Sequence, residues 1–256
     1  MHALKFRRRQ QGLTLIELAI IIALLGTYIM VIMHYRANRI DNGDTVATGI
    51  QDQIVAAVYR YAERHYRLPC ADTNGDGFEG SGSGCGNAQE HQVGGVPYRT
   101  LGMSESDVLN SGKAANYVYG VYRNQVQNAD LAVLEERTND APADAGFRQL
   151  DDLRFALSGL TSTTVNPNQI HVTGDGDLTG PADCTNKITN IAFFVVYVGK
   201  GDANGDGNTL DGANSLLSGP SGSHLCVAGQ TTRHSEQYDD SVMAIGFAEL
   251  LGYLTH

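Results

Sequence analysis

The chain has 256 residues, enough for one generous domain or for a domain with an anchor. Its net charge is −10, and Lys5, Arg7, Arg8 and Arg9 crowd into the first twelve residues, so everything after them is more acidic still. For the bulk of the chain that balance excludes broad nucleic-acid binding, which needs a basic face to displace counterions from phosphates, and it suits a solvated exterior or sites for hard cations.

The first element is the apolar run 13–33, with Glu17 as its only charge. As a helix it would be about 31 Å long, against a hydrocarbon core of about 30 Å, which predicts a transmembrane segment. The basic cluster before it should stay in the cytoplasm and place the rest of the chain outside. A secretory signal would be shorter and would end in a small-residue cleavage site, and none follows here. A plain anchor, however, leaves Glu17 unexplained, because a carboxylate in an apolar helix costs about 2.5–3.5 kcal/mol near a bilayer centre and needs a partner.

The order of features is specific: a short basic leader ending in Gly12, then Leu13, Thr14, Leu15, Ile16 and Glu17, then the continuing apolar run. It resembles the prepilin peptidase signal of type IV pilins and type II secretion pseudopilins, with Leu13 where that family most often has phenylalanine. The resemblance covers about the first 40 residues. It implies cleavage by prepilin peptidase after Gly12, methylation of the new terminus at Leu13, and pairing of Glu17 with the terminal amine of a neighbouring subunit. Within one subunit that amine would stand about 6 Å from Glu17 along the helix. The implied partners are the peptidase, other pilin or pseudopilin subunits, and the bacterial inner membrane. There the chain would be a single-pass protein with a cytoplasmic N-terminus, its head periplasmic or, in a filament, extracellular.

Further along, Val46, Ile50, Ile54, Val58 and Tyr61 recur at steps of three or four, the pattern of an amphipathic helix. No proline stands before Pro69, so one long helix is expected, ending at Leu68–Pro69. Four segments follow: residues 1–12 as a cleaved leader, 13–34 as a transmembrane or filament-core helix, 35–67 as its amphipathic continuation, and 68–256 as a globular head. Within the head, residues 117–123, 191–199 and 241–247 read as strands, 169–173 as a weaker one, and 151–160 and 248–254 as helices. The expected fold class is α+β and pilin-like: a long N-terminal helix, membrane-spanning in its first half, packed on a head with an antiparallel sheet.

Cys70, Cys85, Cys184 and Cys226 form no C-x-x-C pair and have no histidine at zinc-ligand spacing. An even count in an exported chain reads as two disulfides; three pairings are open, and the sequence-local one, Cys70 with Cys85 and Cys184 with Cys226, is expected. Two segments repeat D-x-N-x-D-G: Asp72, Asn74, Asp76, Gly77 and Asp202, Asn204, Asp206, Gly207. Alternating oxygen ligands before a glycine let a loop curl round calcium, and Asp211 adds a carboxylate to the second. Neither has the glutamate that closes an EF-hand loop, since Ser83 and Ala213 stand there, and the same residue types build tight turns.

No H-E-x-x-H, G-x-S-x-G or phosphate-loop motif is present. His65, His91, His171, His224 and His234 are scattered, and the pair Asp239–Asp240 reads as a solvated turn before a strand. An enzyme is not expected. The leading function is a structural subunit of a pilus or pseudopilus, with the large head favouring a minor pilin. A type II secretion pseudopilin is the near alternative, although its tip subunit usually lacks the glutamate that Glu17 supplies. A calcium-dependent adhesin presented by the filament is the alternative of a different class.

Overall fold

The computed structural model describes residues 15–81, 85–86, 91–108, 117–124, 129–138, 148–174, 183–199, 202–217 and 225–256, without the side chains of 15–18, 31–48 and Asp107. In chain order the elements are α1 (Leu15–His65), β1 (Val93–Gly95), α2 (Glu105–Val108), β2 (Tyr117–Val121), α3 (Leu150–Leu160), β3 (His171–Thr173), β4 (Lys187–Asn190) and β5 (Phe193–Tyr197). A 3-10 helix (Gly212–Leu217), β6 (Cys226–Ala228), β7 (Ser241–Ile245) and α4 (Phe247–Leu254) complete them.

The head is built around β5. Phe193, Phe194, Val195 and Val196 are all fully buried, so an unbroken apolar run stands where a half-exposed strand would alternate. β2 and β7 flank β5 antiparallel, and β1 pairs antiparallel with β2, giving the order β1-β2-β5-β7. Gly120 of β2 lies opposite Phe194, whose ring fills the place a Cβ on Gly120 would take. A second sheet has the order β4-β3-β6, with β3 antiparallel to β4 and parallel to β6. β2, β5, β7 and β3 match the strands expected from sequence, and α3 and α4 the helices. β1, β4 and β6 have three or four residues each, too few for alternation to mark them.

From residue 49 onward α1 is amphipathic. Ile54, Val58 and Ala62 are fully buried in the same core as β5. Tyr59 meets Phe193 edge-on at 5.8 Å and stacks on Tyr253 of α4 at 4.2 Å. Gln51, also fully buried, uses its Nε2 to donate to the carbonyls of Val195 (3.3 Å) and Ser241 (2.9 Å), while its Oε1 accepts from Ser241 Oγ at 3.0 Å. One amide thereby joins the helix to β5 and β7. The helix stops at His65; Tyr66 turns to φ +56° and Pro69 follows.

The expectation of a long N-terminal rod, membrane-spanning in its first half and packed on the head, is corrected by the structure. The chain divides into two compact units, Met1–Val46 and Ala47–His256. Side chains of α1 are described over two short stretches, 19–30 and 49–65, and only the second is shown as part of the head. Among the described residues no helix is long and apolar enough to cross a membrane. The apolar stretch of α1 whose side chains are described, residues 19–30, covers about 18 Å at the helical rise against the roughly 30 Å needed, and the other described stretch, 49–65, carries Asp52, Arg60, Glu63 and Arg64. The expected single-pass location in a bacterial inner membrane is corrected with it.

Both disulfides follow the sequence-local pairing. Cys70–Cys85 and Cys184–Cys226 each have a Cα–Cα separation of 5.7 Å, and no described cysteine is free. Cys184–Cys226 ties the approach to β4 to strand β6.

Candidate functional site

Gly12 and Leu13 lie outside the described residues, as does the side chain of Glu17, although its backbone is in α1. The described stretch beyond it is apolar on every side. Ile20, Ile21, Ile22, Leu24, Leu25, Tyr28 and Ile29 are exposed, and Met30 is 75 % exposed. At about 100° per residue, Ile20, Ile21, Ile22, Leu24 and Leu25 cover a little over half of the circumference, and Ala19, Ala23, Gly26, Thr27 and Met30 fill the rest without a charge. Thr27 hides its hydroxyl by donating to the carbonyls of Leu24 (2.9 Å) and Ala23 (3.2 Å).

Next to the Cys70–Cys85 bridge, Glu79 collects donors. Arg67 reaches it through two nitrogens at 2.6 and 2.7 Å, Tyr61 Oη donates at 3.1 Å and the Cys70 N–H at 3.3 Å. Burial raises the carboxyl's pKa, but the Arg67 guanidinium outweighs it and holds Glu79 below the usual range. Glu79 and the two cysteines lie close together, yet the sulfurs are bonded to each other and offer no thiolate to a metal.

The two D-x-N-x-D-G loops share one internal pattern. In the first, Asp72 Oδ1 accepts from the N–H groups of Asn74 and Gly75, and Oδ2 from that of Gly77 at 2.7 Å. Asn74 donates to Asp76 Oδ2 and accepts from the Asp76 N–H, and Asp76 Oδ1 accepts from Phe78. In the second, Asp202 accepts from the N–H groups of Asp206 and Gly207, and Asn204 and Asp206 repeat the exchange. Gly77 and Gly207, the sixth residues, take φ of +82° and +93°, a conformation that suits glycine and turns the chain. Hydrogen bonds from Phe78 and Asn74 hold the Asp76 pKa below the usual carboxylate range. The loops close on their own backbone, so their carboxylate oxygens are largely engaged.

Asp211 stands apart from that pattern. It is fully buried, its Oδ1 accepting from the N–H groups of Ala203 and Asn204 (3.2 and 3.3 Å) and its Oδ2 from that of Asp239 (3.1 Å). Its own N–H donates to Asp240 Oδ2 at 2.8 Å, as does Asn214 Nδ2 at 2.9 Å. Asn214, on the 3-10 helix, also donates to Tyr238 Oη and accepts from the Ala228 N–H of β6. Asp240 is 1 % exposed, and burial, aided by the charges of Asp211 and Asp239, pushes its pKa up to about 7 against the hydrogen bonds from Asn214 and the Asp211 N–H. The solvated turn expected for Asp239–Asp240 is therefore corrected: Asp240 is interior. Of the ligands expected in the second loop, only Asp211 meets this cluster. The sequence signal that could have found it was two adjacent acids directly before a β-rich run.

A groove of about 610 Å³ lies elsewhere, between Tyr122, Asn124 and residues 163–167, and among the described residues lining it none carries a carboxylate, imidazole or amine. His171 is buried, and burial lowers its pKa; its Nδ1 lies 2.9 Å from the Gln169 carbonyl. His65 stacks on Tyr61 at 4.2 Å, His234 meets Tyr238 at 6.4 Å, and His224 lies outside the described residues. Family models, curated proteins and solved structures give no match to this chain.

Proposed function

We propose that the protein is a structural subunit of a pilin-like filament, processed by prepilin peptidase after Gly12 and assembled through the apolar segment that follows. One observation carries the reading: the ordered sequence of basic leader, Gly12, Leu13 and Glu17, ahead of a segment apolar on every side. Surfaces of that kind demand cover, because burying each large aliphatic side chain is worth about 1.5–3 kcal/mol. Among the described residues every buried hydrophobic lies at Ile54 or beyond, while the aliphatics of the apolar segment are exposed. Bundled copies would bury the aliphatics. Glu17, paired with the amine freed on a neighbour's Leu13, would fix one axial register, as a lone buried polar group does in coiled coils.

Intact mass of the purified protein tests the first step. The expected species begins at Leu13, carries one added methyl group and lacks four hydrogens for two disulfides. A mature chain still beginning upstream of Leu13 would overturn the proposal. Glu17→Ala tests the second step: processing and folding continue, while sheared-filament fractions lose the subunit. Normal incorporation of that variant would remove the register role.

A further inference from the structure

We infer that Asp211, Asp239 and Asp240 together form a divalent-cation site, and that calcium is the ion its chemistry fits. The three come from two places far apart in sequence, the start of the 3-10 helix and the entry to β7. One carboxylate oxygen from each lies within 4.8 Å of the others. Two oxygens bound to one calcium at about 2.3–2.6 Å can stand at most about 5 Å apart, so a single ion can touch all three carboxylates.

A second observation points to a ligand. Asp240 is 1 % exposed, and its Oδ2 is taken by the Asp211 N–H and Asn214 Nδ2, yet among the described residues no donor reaches Oδ1. A buried carboxylate oxygen left without a donor is costly, and a cation removes the cost. No described lysine or arginine forms an ion pair with Asp211 or Asp240. All three candidate donors are carboxylate oxygens, which select hard cations over zinc or copper. The irregular placement favours calcium, whose coordination is flexible, over magnesium, which demands near-ideal octahedra.

The site differs from the D-x-N-x-D-G loops. The 202–207 loop is tied to it through Asp211, which accepts from Ala203 and Asn204, but Asp202 and Asp206 serve their own turn. The inference also stands apart from the filament reading, since every residue in it belongs to the head.

The test uses the full chain, stripped with EGTA and returned to calcium chloride, with thermal unfolding and tyrosine-sensitised terbium luminescence as readouts. Tyr238 next to the cluster is a suitable sensitiser in a chain without tryptophan. Calcium is expected to raise the unfolding midpoint by several degrees and to displace terbium. Asp239→Asn, less buried than Asp240→Asn and so the safer variant to fold, should weaken calcium binding about tenfold or more. Asp206→Asn should leave it within about twofold, because Asp206 is outside the cluster. Absence of any calcium-dependent shift and of terbium signal would overturn the inference. So would binding lost in Asp206→Asn but kept in Asp239→Asn, which would place the ion on the loop.

Discussion

Glu79 shows how single residues govern this head. Arg67 holds its folded-state pKa below the ordinary value of 4.5, so the folded protein resists protonation more than the unfolded chain does. The stability this gives is complete above about pH 4.5 and is lost as pH falls through the folded pKa. Glu79→Gln should therefore be less stable than the native chain in urea at neutral pH, and the gap should narrow in acid. A gap that stays constant with pH would contradict the assignment. Arg123 makes the same point more sharply. It pairs with Asp130 at 3.1 Å, both side chains fully buried, and donates to the carbonyls of Cys85 and Gly86. Asp130→Ala should cost about 3–5 kcal/mol in equilibrium unfolding, because it strands a buried guanidinium. Much at this scale was hidden in the sequence. The composition of residues 202–211 advertised cation ligands, but whether an acid points into its own turn or into the interior depends on Asn214 and β6, 3 to 17 residues further on. Asp240 looked like any surface acid until the 3-10 helix closed over it.

Among the elements, β5 and β2 carry the heaviest constraint. Phe194 occupies the volume above Gly120, so Gly120→Ala should destabilise the head by about 1–3 kcal/mol through overpacking, measurable as a lower urea midpoint with an unchanged denaturant slope. The cystines act on the loops around the sheets. The chain-entropy account credits the 15-residue Cys70–Cys85 loop with about 3 kcal/mol and the 42-residue Cys184–Cys226 loop with about 4 kcal/mol. A Cys70→Ser, Cys85→Ser double variant should lose about the former, by chemical denaturation of the oxidised protein. Five-residue strands were legible because VYGV and FFVVY bring β-branched and aromatic residues together in runs bounded by turn residues. Strand β6 was not, since it owes its existence to a parallel partner 55 positions back (Cys226 against His171), a pairing that no local pattern encodes.

For the whole molecule, the division at residues 46 and 47 matters most. Every described buried hydrophobic lies beyond it, so a chain lacking residues 1–46 should fold with the same unfolding midpoint as the full chain and stay soluble at higher concentration. A markedly lower midpoint would contradict this expectation. The apolar periodicity of residues 46–61 announced a helix laid on a head, and from residue 49 onward that is seen. The reading of residues 13–34 as a membrane span rested on length and hydropathy, and among the described residues no helix is both long and apolar enough to cross a membrane. The α+β class with an antiparallel sheet was legible from a helix followed by scattered strands; the mixed second sheet was not.

The two cystines also set a timetable for maturation. Their combined contribution, about 7 kcal/mol, is comparable with the entire stability of many domains, roughly 5–15 kcal/mol. While its thiols remain reduced, the newly made head would lack that share of its stability and be more open to proteases and to strand-edge association. Oxidation would then act as a latch, closing each loop once and making the finished head hard to reopen.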